Sequence, residues 1–189
     1  KARVQTVTVD ELIPALLPLG TVHRVLQNLL SERVSIRNLT VILEALAEAA
    51  TLSKDSDLLT EYARAALSRQ ISLQYRDADG SLWCATLSPV VERRLQESIV
   101  RNERSARMVL DPVLSDELVR AISIRLAAPA GGTERPVLLV AAGLRPYVKR
   151  HFDRFLPRLV VLSTNEITAD TRVKSLGVVD VATRTAVGA

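Results

Sequence analysis

The 189-residue chain has a single cysteine, Cys84, and two histidines, His23 and His151. One thiol cannot close an internal disulfide, and with two scattered imidazoles it makes no zinc-binding pattern. A reducing cytoplasm is the simplest setting for such a chain. Long apolar runs are also missing. The longest candidates are broken by Arg, Glu or Pro well short of the roughly 20 residues that a membrane helix needs, so this stretch is expected to be soluble. No basic segment followed by an apolar run opens the sequence, hence no signal peptide is read in it. The first residue is Lys1 and the only methionine is Met108, which suggests a piece of a longer protein or a processed product.

What is present is material for a core: 48% of residues are hydrophobic, enough for one domain or two small ones. The net charge of +4 is unevenly shared. Residues 1–87 carry nine Lys/Arg against ten Asp/Glu, a balance of −1, and residues 88–189 carry sixteen against eleven, a balance of +5. Arginine greatly outnumbers lysine, which suits carboxylate or phosphate pairing and equally fits codon bias in a GC-rich genome.

The organising stretch is 21–50. Val22, Val25, Leu26, Leu29 and Leu30 recur at helical spacing, and Ile36, Leu39, Ile42, Leu43, Leu46, Ala47 and Ala50 form a second series. Two amphipathic helices joined by a short turn are expected, with Ser35 as N-cap of the second. Neither is stable alone, because each must bury its apolar stripe. Before them, Asp10 is placed to cap a short helix over 11–17 that ends near Pro18 and Gly20. Residues 1–9 alternate weakly and stay open between linker, tag remnant and strand.

A third helix is expected from Asp57, with Leu58, Leu59, Tyr62, Ala63, Ala66, Leu67 and Ile71 on one face and Arg64 and Arg69 toward its C-terminus as the helix dipole favours. The period then changes. Ile71, Leu73 and Tyr75 alternate, Asp77-Ala78-Asp79-Gly80 reads as a turn, and 82–87 is β-prone, so a hairpin is expected. Ser88-Pro89 opens a charged helix running to about Arg104, its Glu92, Arg93, Arg94, Glu97, Arg101, Glu103 and Arg104 forming a solvated or connecting face.

Beyond that the pattern turns α/β. A short strand over 108–110 is broken at Asp111-Pro112, and a helix runs from Ser115 to about Ala128 with Asp116 and Glu117 in its first turn. A loop over 129–136 follows. Strand 137–141, helix 146–156 with Val148, Phe152 and Phe155 inward, and strand 159–162 make a βαβ unit whose strands should be central in a parallel sheet. A last strand covers 173–181. The fold class is therefore α+β: a mostly helical subdomain with a β-hairpin over 1–109, then a small α/β subdomain containing the βαβ unit over 110–189.

Catalytic chemistry needs a nucleophile, a base and an oxyanion site that converge. His23, His151 and Cys84 pair with nothing in a known spacing. The turn 142–146 holds one glycine, where a dinucleotide fingerprint needs three and a P-loop needs Gly-Lys-Ser/Thr. No enzyme, cofactor or metal is expected. Three helices and a hairpin also describe a winged helix, but the presented face of 36–50 mixes Arg37 and Asn38 with Glu44 and Glu48, two acids that would repel a phosphate backbone. The remaining candidate is a basic patch, Arg145, Lys149, Arg150, Arg154 and Arg158, mostly on one outward face. It suits docking of an acidic protein surface.

The segments NLLSERVSIRNLTVILEALAEAA (28–50) and KDSDLLTEYARAALSRQI (54–71), then MVLDP (108–112), PVLLVAAGLRP (136–146), LPRLVVLSTNEI (156–167) and VKSLGVV (173–179), occur in that order. Together they resemble the cytoplasmic domain of the FlhA export-gate family of type III secretion, flagellar and injectisome branches alike. DLLTEYAR and LRPYVKR look more flagellar. Ser163-Thr164-Asn165 departs from the pattern, since members often carry an aromatic before Asn-Glu.

The resemblance implies the third, mostly helical cytoplasmic subdomain and the fourth, α/β one. It also implies a nonameric ring at the cytoplasmic face of the bacterial inner membrane. Its partners would be chaperone–substrate complexes and soluble export components such as those of the ATPase complex, with membrane attachment only through an N-terminal region absent here. Hydrolysis belongs to a separate ATPase, so the family has no catalytic residues to carry over. The chaperone-docking cleft of the family lies mainly in its first two subdomains, so no residue here is assigned to it.

Overall fold

A computed structural model describes residues 12–102, 106–127 and 136–181. The chain divides into two compact units, Lys1–Gln74 with Asn165–Thr168, and Tyr75–Thr164 with Ala169–Ala189.

The first unit is helical: α1 Leu19–Ser31, α2 Leu39–Ala49, α3 Ser56–Ala66 and α4 Ser68–Tyr75, whose last residue already counts in the second unit. Most of the expected apolar stripe positions are buried, but Leu30 and Leu39 are exposed, as are Leu58, Tyr62 and Ala66 of the expected third-helix face. Val22, Val25 and Leu29 of α1, Ile42, Leu43 and Leu46 of α2, and Leu59 and Ala63 of α3 are all buried. Pro18 sits at the N-cap of α1 in extended conformation, so it opens that helix besides following the turn at Leu12–Leu17. The expected Asp10 cap lies outside the described residues.

The α1–α2 connection corrects one expectation. Arg33 adopts φ 60°, while its N–H reaches Leu30 O at 2.9 Å and the Val34 N–H reaches Leu29 O at 2.9 Å. This is a Schellman ending with an arginine where glycine is usual. The chain stays non-helical through Asn38, so Ser35 does not cap α2. Its hydroxyl accepts from the Arg37 N–H at 3.4 Å instead, and Asn38, at the N-cap, sends its amide to Gln70 Oε1 at 2.9 Å. Asp55, ahead of the expected Asp57, caps α3 by accepting from the N–H groups of Asp57 and Leu58.

The expected hairpin is absent. Residues 71–75 are helical: Ile71 and Tyr75, four apart, are buried, and Leu73 is exposed. A short run with every second residue apolar satisfies both periods, and burial at i and i+4 selects the helix. The turn at Asp77–Gly80 is real, with Gly80 at φ 79° and its N–H on Asp77 O at 2.9 Å, but it leads from a helix into a strand. A winged helix loses its wing.

The second unit is built on a sheet of order β5-β4-β1-β6, every pair parallel. The strands are β1 Ser81–Leu87, β4 Val137–Val140, β5 Val161–Ser163 and β6 Arg172–Val179. Helices α5 Pro89–Glu97, α6 Pro112–Ala127 and α7 Arg145–Phe152 accompany them, and β2 Ile99–Arg101 pairs antiparallel with β3 Ala106–Met108. One core gathers Ala85, Leu87, Val91, Leu118, Val148 and Phe152 among others.

Ser88 caps α5 as expected, accepting from the Val91 N–H, with Pro89 in the first turn. The helix stops at Glu97 rather than near Arg104, because Ile99 turns inward and starts the β2–β3 ribbon. The βαβ unit β4-α7-β5 is parallel as expected, and β4 is interior, but β5 is an edge strand rather than a central one. The place beside β4 is taken by β1, which also puts the expected boundary at 109/110 inside the second unit, between β3 and α6. The loop expected over 129–136 lies mostly outside the described residues. Among those described, no helix is long and apolar enough to cross a membrane. The fold is α+β.

Candidate functional site

Helix α7 carries the sequence-derived patch, and its environment sorts the five cations. Leu144 occupies the N-cap, with its N–H on Ala141 O at 2.9 Å, and Pro146 lies in the first turn, where its missing N–H leaves no bond unmade. The helix buries Val148 and Phe152 and, with them, Arg145, only 1% exposed. Arg145 points its Nη1 toward Val161 O at 3.5 Å. Lys149 is held by Asp153 Oδ1 at 2.6 Å and Leu159 O at 3.1 Å. These two cations therefore anchor α7 and the segment leading to β5, and they leave the expected outward face.

Arg150, Arg154 and Arg158 are exposed. The Arg154 guanidinium lies 4.7 Å from the centroid of Phe155, a residue expected inward that is 42% exposed. A cation over an exposed aromatic ring is an arrangement that spacing alone did not predict. Phe155 falls beyond the end of α7, where helical periodicity no longer governs direction. Strand β3 packs beside α7 and carries a further exposed cation, Arg107.

His151 lies between these arginines in sequence, and its Nε2 is 2.9 Å from Ser115 Oγ. Its ring meets Phe152 edge-on at 4.8 Å and Phe155 at 6.0 Å. Burial first, and then the charge of Arg154, hold its pKa below the ordinary 6.5. A serine–histidine contact resembles a catalytic dyad, but Ser115 is buried, and no carboxylate among the described residues hydrogen-bonds the ring in the way that fixes a general base. The pair ties α6 to α7. Cys84 is buried and its thiol pKa is pushed up by that burial, so it is not an activated nucleophile. His23 is on an exposed position of α1. Among the described residues no group of His, Cys, Asp and Glu is arranged to hold a metal ion.

One cluster escaped sequence reasoning altogether. Arg64, expected as a last-turn cation of α3, is buried; it donates to Glu32 Oε2 at 3.1 Å and forms an ion pair with Glu166 Oε1 at 2.5 Å. Glu166 closes a 3-10 turn, Thr164–Glu166, directly after the divergent Ser163-Thr164-Asn165. Its carbonyl accepts from Ser72 Oγ at 2.6 Å, and the same hydroxyl accepts from the Thr168 N–H at 3.3 Å. Partners separated by this much sequence leave no local signal.

Comparison with known proteins places this geometry. The chain matches the FHIPEP family over residues 2–172. It is 39% identical over 175 residues to the flagellar biosynthesis protein FlhA of Bacillus subtilis, covering 93% of this chain and 26% of that protein. It is 42% identical over 173 residues to that of Caulobacter vibrioides, covering 90% and 24%. The low calcium response locus protein D of Yersinia pestis is 28% identical over 165 residues, 87% of this chain and 23% of that one. The chain thus spans about a quarter of the length of these relatives. Among solved structures, the nonameric EPEC SctV-C superposes with TM-score 0.83 at 30% identity, over 94% of this chain and 53% of that one. The Chlamydia pneumoniae CdsV protein, in its complex with CdsO, does so with TM-score 0.83 at 29% identity, over 95% and 54%. The chain belongs to the FHIPEP family, that of the FlhA-type export-gate proteins of type III secretion.

Proposed function

We propose that this chain is a non-enzymatic docking and ring-forming part of a flagellar-type export gate, at the cytoplasmic face of the inner membrane. It would receive chaperone–substrate complexes and soluble export components there. The observation that carries this is the FHIPEP match along nearly the whole chain, joined to a fold shared with a protein that forms a nonamer and with one solved in complex with a soluble partner. The higher identity to the two FlhA proteins than to the low calcium response protein favours the flagellar branch. Membrane attachment would come from the remaining three-quarters of such a protein.

Within the chain, the docking surface we assign is the exposed part of the α7 patch, Arg150, Arg154 and Arg158, with Phe155 as an apolar anchor beside the charges. Exposed guanidiniums steer an acidic partner and set its orientation, while a half-exposed ring offers area to bury. Arg145 and Lys149 serve the patch by fixing the helix. In a motile strain whose FlhA carries these residues, Arg150→Glu with Arg154→Glu is expected to cut export of flagellar subunits and swimming while the protein's level stays normal. Replacement of both by lysine should retain most of the function. Export unchanged by the charge reversal would remove the α7 surface from this role.

A further inference from the structure

The longest strand of the second unit's sheet is also its edge. β6 runs from Arg172 to Val179, pairs with β1 at every position but Leu176, where the register shifts by one residue, and among the described residues has no strand on its other side. The Val179 carbonyl accepts from the Ser88 N–H at 2.9 Å, so it faces β1. Backbone groups alternate along a strand, and the N–H and C=O of Val178 therefore point away from the sheet. An edge of this kind is a template for another strand.

The register with β1 sorts the side chains of that edge onto two faces. Lys174 pairs with Trp83 and holds its Nζ 4.9 Å from the indole centroid, and Val179 pairs with Leu87 in the core. Arg172 and Lys174 thus share one face. Val173 and Val178, paired with Leu82 and Thr86, occupy the other and are 45% and 46% exposed, with Ser175 exposed between them. β6 itself has no carboxylate. Lys174 is already bound to Asp79 at 2.6 Å, which leaves exposed Arg172 as the main source of attraction. A strand laid along this edge meets positive charge on one face and aliphatic surface on the other.

We propose that β6 is a β-augmentation site that takes an extended segment of another protein, one whose side chains alternate acidic and aliphatic. The added strand would gain main-chain bonds to the outward groups of β6. Its carboxylates would lie beside Arg172 and its aliphatic side chains beside Val173 and Val178. This goes beyond the α7 surface: the two sites lie on different elements, and either can fail without the other.

The test is amide exchange and chemical-shift mapping of the chain, first alone and then with a capped peptide alternating glutamate and valine. Alone, the Val178 amide should exchange freely; protection without peptide would mean that the edge is already covered by the chain's own residues, and would overturn the proposal. With peptide, shifts should concentrate on β6 and exchange at Val178 should slow by about tenfold or more at saturation. The same peptide N-methylated at alternate residues should not bind, and one with lysine for glutamate should bind about tenfold more weakly. Equal binding of either, or shifts centred elsewhere, would overturn it. Val178→Pro removes an N–H that no β1 bond uses, which edge strands tolerate, and should abolish binding. If that variant misfolds, Arg172→Glu, which leaves the ladder untouched, should still weaken the acidic peptide and strengthen the basic one.

Discussion

Arg64 and Glu166, 102 positions apart in the chain, meet at 2.5 Å with side chains 3% and 1% exposed. A guanidinium so far from water is costly to bury unless carboxylates stand against it, here Glu166 and the less buried Glu32. Neither α3 nor the turn after β5 could bury its charged residue alone.

Removing the cation should therefore cost more than removing either anion. Arg64→Met takes from buried Glu166 the cation it is paired with, and the expected loss is about 3–5 kcal/mol. Glu166→Gln keeps Glu32 for Arg64 and should cost about 1–3 kcal/mol, and Glu32→Gln, at the wetter position, less still. Urea unfolding followed by helical circular dichroism gives the order. An Arg64→Met variant as stable as the parent would show that the cluster contributes nothing net.

Gly177 is expected to tolerate no side chain. Its φ of 107° is a conformation that L residues rarely adopt, and an added Cβ would lie 3.1 Å from Arg125 Nη1 and 3.3 Å from Arg125 Cδ. Gly177→Ala should cost about 1–3 kcal/mol through backbone strain. Pairing it with Arg125→Ala relieves the crowding but not the dihedral, so most of the loss should persist. Trp83, two register pairs along the same ladder, supplies the fluorescence signal. Full rescue by Arg125→Ala would put the cost in the contact instead.

Asp79 makes stability sensitive to acid. Its pKa is lowered from 3.8 to about 2, chiefly by the hydrogen bond from Lys174 and then by the Ser81 N–H. A carboxyl depressed by folding stabilises the protein above its unfolded pKa, and that contribution disappears as pH falls through the folded one. The window is thus from 3.8 down to about 2. Lys174→Met should move the carboxyl midpoint upward in an NMR titration and change Trp83 emission, since the ammonium also lies over that ring. A midpoint that does not move would assign the shift to the backbone bond.

The sequence made the local chemistry of this fold legible and left its long-range pairings hidden. Ser88-Pro89, the stripes of α1 and α2, and the βαβ unit follow from neighbours within a few residues. The slot that β1 fills between β4 and β6 does not: a run such as Leu82–Leu87 reads equally as one arm of a hairpin or as a central strand, and only partners some 50 and 90 positions away decide. The patch on α7 shows the same division. Helical spacing placed five cations near one another, but which of them are held against the protein depended on Asp153 and the carbonyls of Leu159 and Val161, groups supplied by the turn and strand that follow.

His151 is the second acid-sensitive group, and its sense is that of a base whose folded pKa lies below 6.5. Folding disfavours the imidazolium, so its contribution is complete above the unfolded value and declines as pH falls below 6.5 toward the folded midpoint. Burial is the larger cause and Arg154 the smaller. Arg154→Ala should therefore raise the midpoint only part of the way, as read from the ring-proton shift in a His23→Gln background that leaves a single histidine. Ser115→Ala removes the bond to Nε2 and should cost about 1 kcal/mol at neutral pH. Because the charge created on protonation would join Arg150 and Arg154, the same titration reports on the α7 surface: an acidic partner docked there should raise the His151 midpoint. A midpoint indifferent to Arg154 and to an acidic partner would separate the histidine from that surface and leave it as a link between α6 and α7.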